Sequence, residues 1–292
     1  KPRQFMDNLV ILCFAVINSI ALLALISLGL AVIFGMMRVI NFAHGEFIML
    51  GGYATVIANH CGLNLWLSML VVAPMFVALI GAVAERLIVR RLYGHLVTTM
   101  LATWGLSLFL IGAVTAIFGN TTMGVSAPLG NIPIGAYSIG AYQLFLIGIT
   151  ALLVVSALLA LHWTKYGLIA RAAMQNSEMA ATLGINCDRV YAATFIIGAA
   201  ISGLAGALLA PISGVLPHMG AAYVARAFVT VISGGGALIT GFLSAATILG
   251  PVEALLSYFA TPVLGQASLL LLAVIILRLF PTGVSSLWIG GR

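Results

Sequence analysis

The longest stretch of this sequence without a Lys, Arg, Asp or Glu runs from residue 92 to residue 164. Further charge-free stretches cover residues 8–37, 47–84, 190–225, 227–252 and 254–277. Charged residues make up 6% of the chain and hydrophobic residues 63%, whereas about 25% of an average soluble domain is charged. Because so few polar side chains cannot cover the surface of a soluble fold, the sequence predicts an integral membrane protein.

The charge-free stretches predict membrane-spanning helices. A helix needs about 20 apolar residues to cross the hydrocarbon core, and the alternation of apolar and polar residues that is typical of barrel strands is missing. Turn signals between the apolar runs predict spans near residues 9–36, 43–59, 64–85, 96–118, 142–162, 190–210, 224–241, 243–260 and 263–280. We therefore expect an all-α, polytopic helical membrane protein that forms a single transmembrane domain over residues 1–292.

Short loops rich in Lys and Arg face the cytoplasm, and this rule orients the predicted spans. The basic residues group into two loops and a C-terminal region: Arg86, Arg90 and Arg91; Lys165, Arg171 and Arg189; Arg278 and Arg292. Nine spans with these groups inside put the N-terminus outside. A re-entrant or broken helix at 43–59 leaves eight spans and returns the N-terminus to the inside. The segment 119–141, rich in Gly, Pro and Asn, is then the longest external loop.

The largest polar insert lies at residues 163–190, on the side that the orientation rule assigns to the cytoplasm. Asn176 or Ser177 is expected to cap a short helix here, because their side-chain oxygens accept backbone N–H groups. Glu178 suits the positive end of that helix, and Gly184 can adopt the left-handed conformation that ends it.

The predicted short helix has an apolar face, because Met179 and Leu183 are four residues apart and project from the same side. Two interpretations follow from the residues alone. The segment is either an amphipathic connector at the membrane surface, or a ridge that inserts its apolar face into a groove on a cytoplasmic partner protein.

Two motifs resemble those of ABC importer permeases. The run EMAATLG (residues 178–184) resembles the cytoplasmic "EAA" loop of these proteins, although Met179 replaces the first Ala and the later Ile-x-Leu-Pro tail is missing. The run RVINFAHGEF (residues 38–47) resembles the N-F-A-H-G signature of permeases for branched-chain, or hydrophobic, amino acids. Residues 102–107 and 175–190 are similar to the same family, and the resemblance extends from residue 15 to residue 284.

The resemblance implies a function as the permease subunit of an ABC importer in the bacterial inner membrane. Such a permease transports branched-chain or hydrophobic amino acids, and relatives that carry urea or short amides leave that substrate class as an alternative. The expected partners are a second homologous permease subunit, two cytoplasmic ATPase subunits and a periplasmic substrate-binding protein. The resemblance assigns ATPase coupling to Arg171, Asn176, Glu178, Met179, Ala180, Leu183 and Gly184.

The sequence contains no motif that would bind ATP. A P-loop needs Gly-Lys followed by Ser or Thr, and the two lysines, Lys1 and Lys165, stand in other contexts. HExxH and GxSxG motifs are also missing. We therefore expect no enzyme activity and no cofactor in this chain, with ATP and magnesium bound by the partner ATPases. The basic residues form no patch, so no nucleic-acid partner is expected. A passive small-solute channel is the alternative from another class, and it would not need a cytoplasmic docking helix.

Polar residues cluster where the first two apolar runs meet, at Arg38, Asn41, His44 and Glu46. An ionisable group at membrane depth costs ~2.5–3.5 kcal/mol on insertion scales and is a functional candidate. In one interpretation, Arg38 and Glu46 lie at the membrane surface while Asn41 and His44 hold a broken helix together. In the other, Asn41, His44 and Glu46 form a gate or a wall of the translocation path. Gly235 is a further path candidate, because the glycines at 234–236 interrupt an apolar run and free backbone polar groups.

Small residues recur four apart at Gly198, Ser202 and Gly206, so they share one helix face and let another helix approach closely. That neighbour is either a helix of the same chain or a second permease subunit. Two isolated charges lie further along the chain. Arg226 is expected at the outer membrane surface or on the path, and Glu253 beside a neighbouring subunit or on the path.

Overall fold

The fold was obtained as a computed structural model that describes residues 2–134, 137–235 and 238–285. Most of the described chain is helical. The helices are α1 (Pro2–Met37), α2 (His44–His60), α3 (Leu65–Leu67), α4 (Ala73–Leu87), α5 (Leu96–Phe118), α6 (Ala141–Trp163), α7 (Lys165–Gln175), α8 (Ser177–Thr182), α9 (Cys187–Ser213), α10 (Met219–Gly234), α11 (Leu238–Phe259) and α12 (Pro262–Leu279). A π turn at Ser68–Val72 joins α3 to α4, and a 3₁₀ turn at Val89–Leu92 follows α4.

The all-α, multi-pass architecture is confirmed. Among the described residues, seven helices are long and apolar enough to cross a membrane: Leu9–Met37, Leu65–Leu87, Leu96–Phe118, Ala141–Trp163, Cys187–Ser213, Ile239–Phe259 and Pro262–Leu279. Helix α10 is a shorter apolar helix. Adding α10 to these seven gives eight helices, and adding α2, the predicted broken or re-entrant element, gives nine. These totals agree with the eight or nine spans predicted.

Three details differ from the expectations. The predicted span 224–241 is wrong in its extent, because α10 ends at Gly234 and Gly235 turns the chain with φ +80° before α11. The predicted loop 119–141 contains a hairpin, in which β1 (Asn131–Ile134) pairs antiparallel with β2 (Tyr137–Gly140). The insert 163–190 contains a second helix, α7, ahead of the short helix that was predicted.

The chain divides into two compact units. Unit 1 comprises Lys1–Ser27, Ala127–Val155 and Arg226–Arg292, and unit 2 comprises Leu28–Ser126 and Ser156–Ala225. In unit 1, α11 packs along α12, and Gly265 lies so close to Ser257 that a Cβ atom at position 265 would overlap the serine hydroxyl.

Helix α2 forms the core of unit 2, and every residue from His44 to Val56 is buried. It packs against α9 and α4, and Phe47 meets Phe195 of α9 edge to face with ring centroids 6.0 Å apart. A helix that is enclosed in this way has no face for lipid or water, so only groups inside the protein can satisfy the polar side chains on this part of α2.

The contact between α2 and α9 is one of backbone against backbone. A Cβ atom at Gly51 would overlap the carbonyl oxygen of Gly203, and one at Gly206 would overlap the carbonyl oxygen of Ile48. In lipid, small residues of this kind let helices approach closely and gain packing contacts. The two helices therefore form a close-packed pair. A movement of α9 would displace α2 as well, because their backbones are in contact.

Candidate functional site

The first candidate site is the coupling segment, defined here as residues 163–190, which lies in unit 2. Thr164 caps α7 by accepting a hydrogen bond from the backbone N–H of Gly167 at 2.9 Å. Asn176 caps α8, because its Oδ1 accepts from the N–H of Met179 at 2.9 Å. Gly184 follows α8 with φ +85°, the conformation that glycine adopts most easily. The segment thus consists of two short, separately capped helices before α9 begins.

Helix α8 presents its apolar side chains outward. Met179 is 65% exposed and Leu183 is 78% exposed, while Ala180 is buried against the rest of unit 2. Glu178 is exposed beside them, and Arg171 of α7 is half-buried. The Nε atom of Arg171 is buried without a hydrogen-bond partner among the described residues. Such a helix is anchored on one side and leaves two large apolar groups uncovered on the other.

The second candidate site is the break between α1 and α2, which spans residues 38–43. Asn41 is buried, and its Oδ1 accepts from the N–H of Ala43 at 3.0 Å, while its Nδ2 has no partner among the described residues. The N–H of Phe42 donates to Thr103 Oγ1 of α5 at 3.2 Å. Side chains therefore satisfy part of the backbone that the break leaves without helical hydrogen bonds.

His44 begins α2 and contacts the small-residue face of α9. Its Nδ1 lies 3.0 Å from Ser202 Oγ, and the Ser202 hydroxyl donates to the carbonyl of Gly198 at 2.7 Å. Because a hydroxyl has one proton, which here goes to Gly198, the His44 Nδ1–H is the donor to Ser202. A Cβ atom at Gly198 would overlap Ile33 of α1. The face formed by Gly198, Ser202 and Gly206 is thus covered by helices of the same chain.

Glu46 lies in the first turn of α2 and is 1% exposed. The hydroxyl of Ser107 donates to its carboxyl group, and its Oε2 has no hydrogen-bond partner among the described residues. The interpretation that placed Glu46 at the membrane surface together with Arg38 is therefore wrong for Glu46. Arg38 is exposed, and its φ of 51° is in the left-handed region. Unit 2 thus gathers Asn41, His44 and Glu46 around the start of α2.

Gly235 lies in unit 1, where it packs against the chain that follows α12. A Cβ atom at position 235 would overlap the carbonyl oxygen of Thr282. The carbonyls of Ser233 and Gly234 accept from the N–H groups of Val284 and Ser285, at 2.9 and 3.2 Å. Protein backbone therefore satisfies these two carbonyls ahead of the break at Gly235.

Arg226 and Glu253 form an ion pair within unit 1, a pairing that the sequence analysis did not predict. Ser19 also donates to Glu253 Oε2, at 3.2 Å. Glu253 is buried, and a buried charge is stable only when it is paired and hydrogen-bonded. The signal in the sequence was that two isolated charges of opposite sign occupy consecutive apolar helices.

The family described as "Branched-chain amino acid transport system / permease component" matches residues 12–279. The chain belongs to this permease family. It is 33% identical over 282 residues to the high-affinity branched-chain amino acid transport system permease protein LivH of Salmonella typhimurium, covering 89% of this chain and 90% of LivH. It is 32% identical to LivH of Escherichia coli K12 over 278 residues, with the same two coverages. It is also 30% identical to BraD of Pseudomonas aeruginosa over 289 residues, again covering 89% and 90%.

A solved structure titled "PsaBC from Streptococcus pneumoniae in complex with Fab" has a TM-score of 0.48 and 14% identity over 94% of this chain and 95% of that chain. At this TM-score the likeness supports no conclusion about the fold or function of this chain. The family match and the seven apolar helices make this chain a multi-pass protein of the inner membrane. Its relatives are named as permease proteins of transport systems.

Proposed function

We propose that this permease is the membrane subunit of an ABC importer for branched-chain amino acids and is driven by separate cytoplasmic ATPase subunits. The observation that carries the proposal is the exposed apolar face of α8, where Met179 and Leu183 stand uncovered on a capped helix. The names of the relatives support the substrate class. A periplasmic binding protein would deliver the substrate, and a second permease subunit would complete the path.

The shape of α8 suits a helix-in-groove contact. A helix of six residues is not stable alone in water, so its caps and the buried Ala180 must hold it in place. An exposed apolar pair on a fixed helix can enter a groove on a partner, with Glu178 and Arg171 adding polar contacts at the rim. A passive channel has no use for this arrangement.

Motion of a docked ATPase would reach the membrane helices through α9. Helix α8 leads through Gly184 into α9, and α9 packs backbone to backbone on α2. A shift of α9 changes the distance between Ser202 and His44, which is 3.0 Å in this structure. In this proposal Asn41, His44 and Glu46 form the gate that α9 opens and closes.

The test is uptake by proteoliposomes that contain the permease with its ATPases and its binding protein. We expect leucine uptake that requires ATP hydrolysis, because the relatives are named for branched-chain amino acids. A matched sample with a non-hydrolysable ATP analogue should take up none. Leucine uptake without hydrolysis would favour the passive channel, and ATP-dependent uptake of urea or acetamide but not leucine would contradict the substrate assignment.

A further inference from the structure

A second polar cluster connects the end of the coupling segment to the end of α4 in unit 2, and the function proposed above assigns it no role. It comprises Glu85 at the end of α4, Arg90 and Tyr93 in the following loop, and Asp188 and Tyr191 in the first turns of α9. We propose that Tyr93 is a positioning residue that fastens the start of α9 to the end of α4. Movement of the coupling segment is then transmitted to both helices. This inference rests on the proposed function as an ATP-driven importer.

The link from Tyr93 to α4 is a short hydrogen bond to a buried carboxylate. The Tyr93 hydroxyl donates to Glu85 Oε1 at 2.6 Å, and Glu85 is buried. Burial and the hydrogen bond to Glu85 raise the pKa of Tyr93 well above its usual value. The hydroxyl therefore stays protonated and remains a donor at any physiological pH. A hydrogen bond to a charged acceptor is stronger than one between neutral groups.

The link from Tyr93 to α9 is an aromatic contact. The rings of Tyr93 and Tyr191 meet edge to face, with centroids 5.4 Å apart and an interplanar angle of 72°. Arg90 and Asp188 bridge the same two elements at 3.8 Å, but their side chains are 48% and 59% exposed. Exposed ion pairs contribute little. Of these two contacts, the one through Tyr93 therefore joins the loop after α4 to α9 more firmly.

The position of this link suggests transmission of movement. Helix α9 starts at Cys187, just after α8 and the glycine turn at 184, so a pull on α8 reaches the start of α9 first. Helices α4 and α9 pack directly on each other, with Gly81 against Ala199, and both pack on the buried helix α2. Tyr93 adds a link at the end of this contact, where α9 starts. With Tyr93 in place, α4 and α9 move together around α2. Without its hydroxyl, the first turns of α9 are held less firmly to the end of α4, and a smaller share of ATP hydrolysis drives transport.

The test compares Tyr93→Phe with wild type in the assembled transporter reconstituted with its ATPases and binding protein. The substitution keeps the ring contact with Tyr191 and removes only the hydrogen bond to Glu85. We expect leucine uptake to fall about tenfold, the factor that corresponds to one hydrogen bond to a charged group, while ATP hydrolysis stays close to wild type. The matched control is Tyr53→Phe, because Tyr53 is buried in the same unit and its hydroxyl has no hydrogen-bond partner in the part of the chain that the structure describes. Both activities should be unchanged in that control.

Three outcomes would overturn the inference. In the first, uptake and hydrolysis fall in proportion in Tyr93→Phe, which would mean that Tyr93 has only a structural role. In the second, neither activity changes in Tyr93→Phe. In the third, Tyr53→Phe loses uptake while it retains hydrolysis, as expected only of Tyr93→Phe. If Tyr93→Phe does not yield folded protein, the test uses Glu85→Gln. Its neutral amide oxygen still accepts the hydrogen bond from Tyr93, so we expect leucine uptake to fall by less than tenfold while ATP hydrolysis stays close to wild type. Unchanged uptake in that variant would overturn the inference. Absence of ATP-dependent uptake in the wild type would instead refute the proposed function, independently of Tyr93.

Discussion

Replacing Met179 and Leu183 together by Asp is expected to abolish substrate-stimulated ATP hydrolysis by the assembled transporter. The two side chains are 65% and 78% exposed, so few internal contacts are lost and the chain should still insert and fold. Two carboxylates would have to enter an apolar groove without partners. Loss of a central contact residue typically costs about 2 kcal/mol or more of binding free energy, so the loss of two should weaken docking of the ATPase on the order of a thousandfold.

A control on the same helix separates the apolar face from α8 as a whole. Ala181 is exposed and lies on a different side of α8 from Met179 and Leu183. The variant Ala181→Asp therefore adds a charge without touching the proposed docking face, and we expect hydrolysis near the wild-type rate. Normal coupling in the Met179 and Leu183 double variant would refute the docking role.

The second large effect is expected at the Arg226–Glu253 ion pair. Glu253→Leu removes the carboxylate that Arg226 and Ser19 contact, and breaking a buried ion pair typically costs about 3–5 kcal/mol. We expect a clearly lower thermal unfolding temperature in detergent. The double variant Arg226→Met, Glu253→Leu should recover most of the stability, because apolar residues of similar volume can replace a buried pair.

Unfolding temperatures of the wild type, both single variants and the double variant form a complete cycle. If Glu253→Leu were as stable as the wild type, or the double variant less stable than either single one, the pair would not stabilise unit 1 as described. The measurement needs no transport partner, so it tests the fold independently of the proposed function.

The spans were predictable because each depends on its own composition. Charge-free runs and glycine turns determine the local structure of the residues that contain them, so most helix limits lie close to the predicted ones. For the same reason the predicted cap at Asn176 and the predicted turn at Gly184 are both present. The hairpin at 131–140 was not expected, since its strands are short and pair in a segment dominated by turn residues.

Contacts between distant residues could not be predicted in the same way. A charge-free apolar run indicates a helix that crosses the membrane but does not show which helix lies beside it. The burial of Glu46 next to Ser107 follows from how α2 packs, and the Tyr93–Glu85 bond follows from how the loop after α4 folds back. Gly51 and Gly203 are separated by most of unit 2 in sequence, and only the three-dimensional arrangement reveals their contact.

The central claim is that α8 is the surface on which an ATPase docks. The most direct measurement is photo-crosslinking of the assembled transporter from position 179, with position 109 as the matched site, because Phe109 of α5 is 69% exposed, close to the 65% of Met179. The account predicts a crosslink to the ATPase subunit from position 179 and none from position 109. No ATPase crosslink from position 179, or equal crosslinks from both positions, would contradict it.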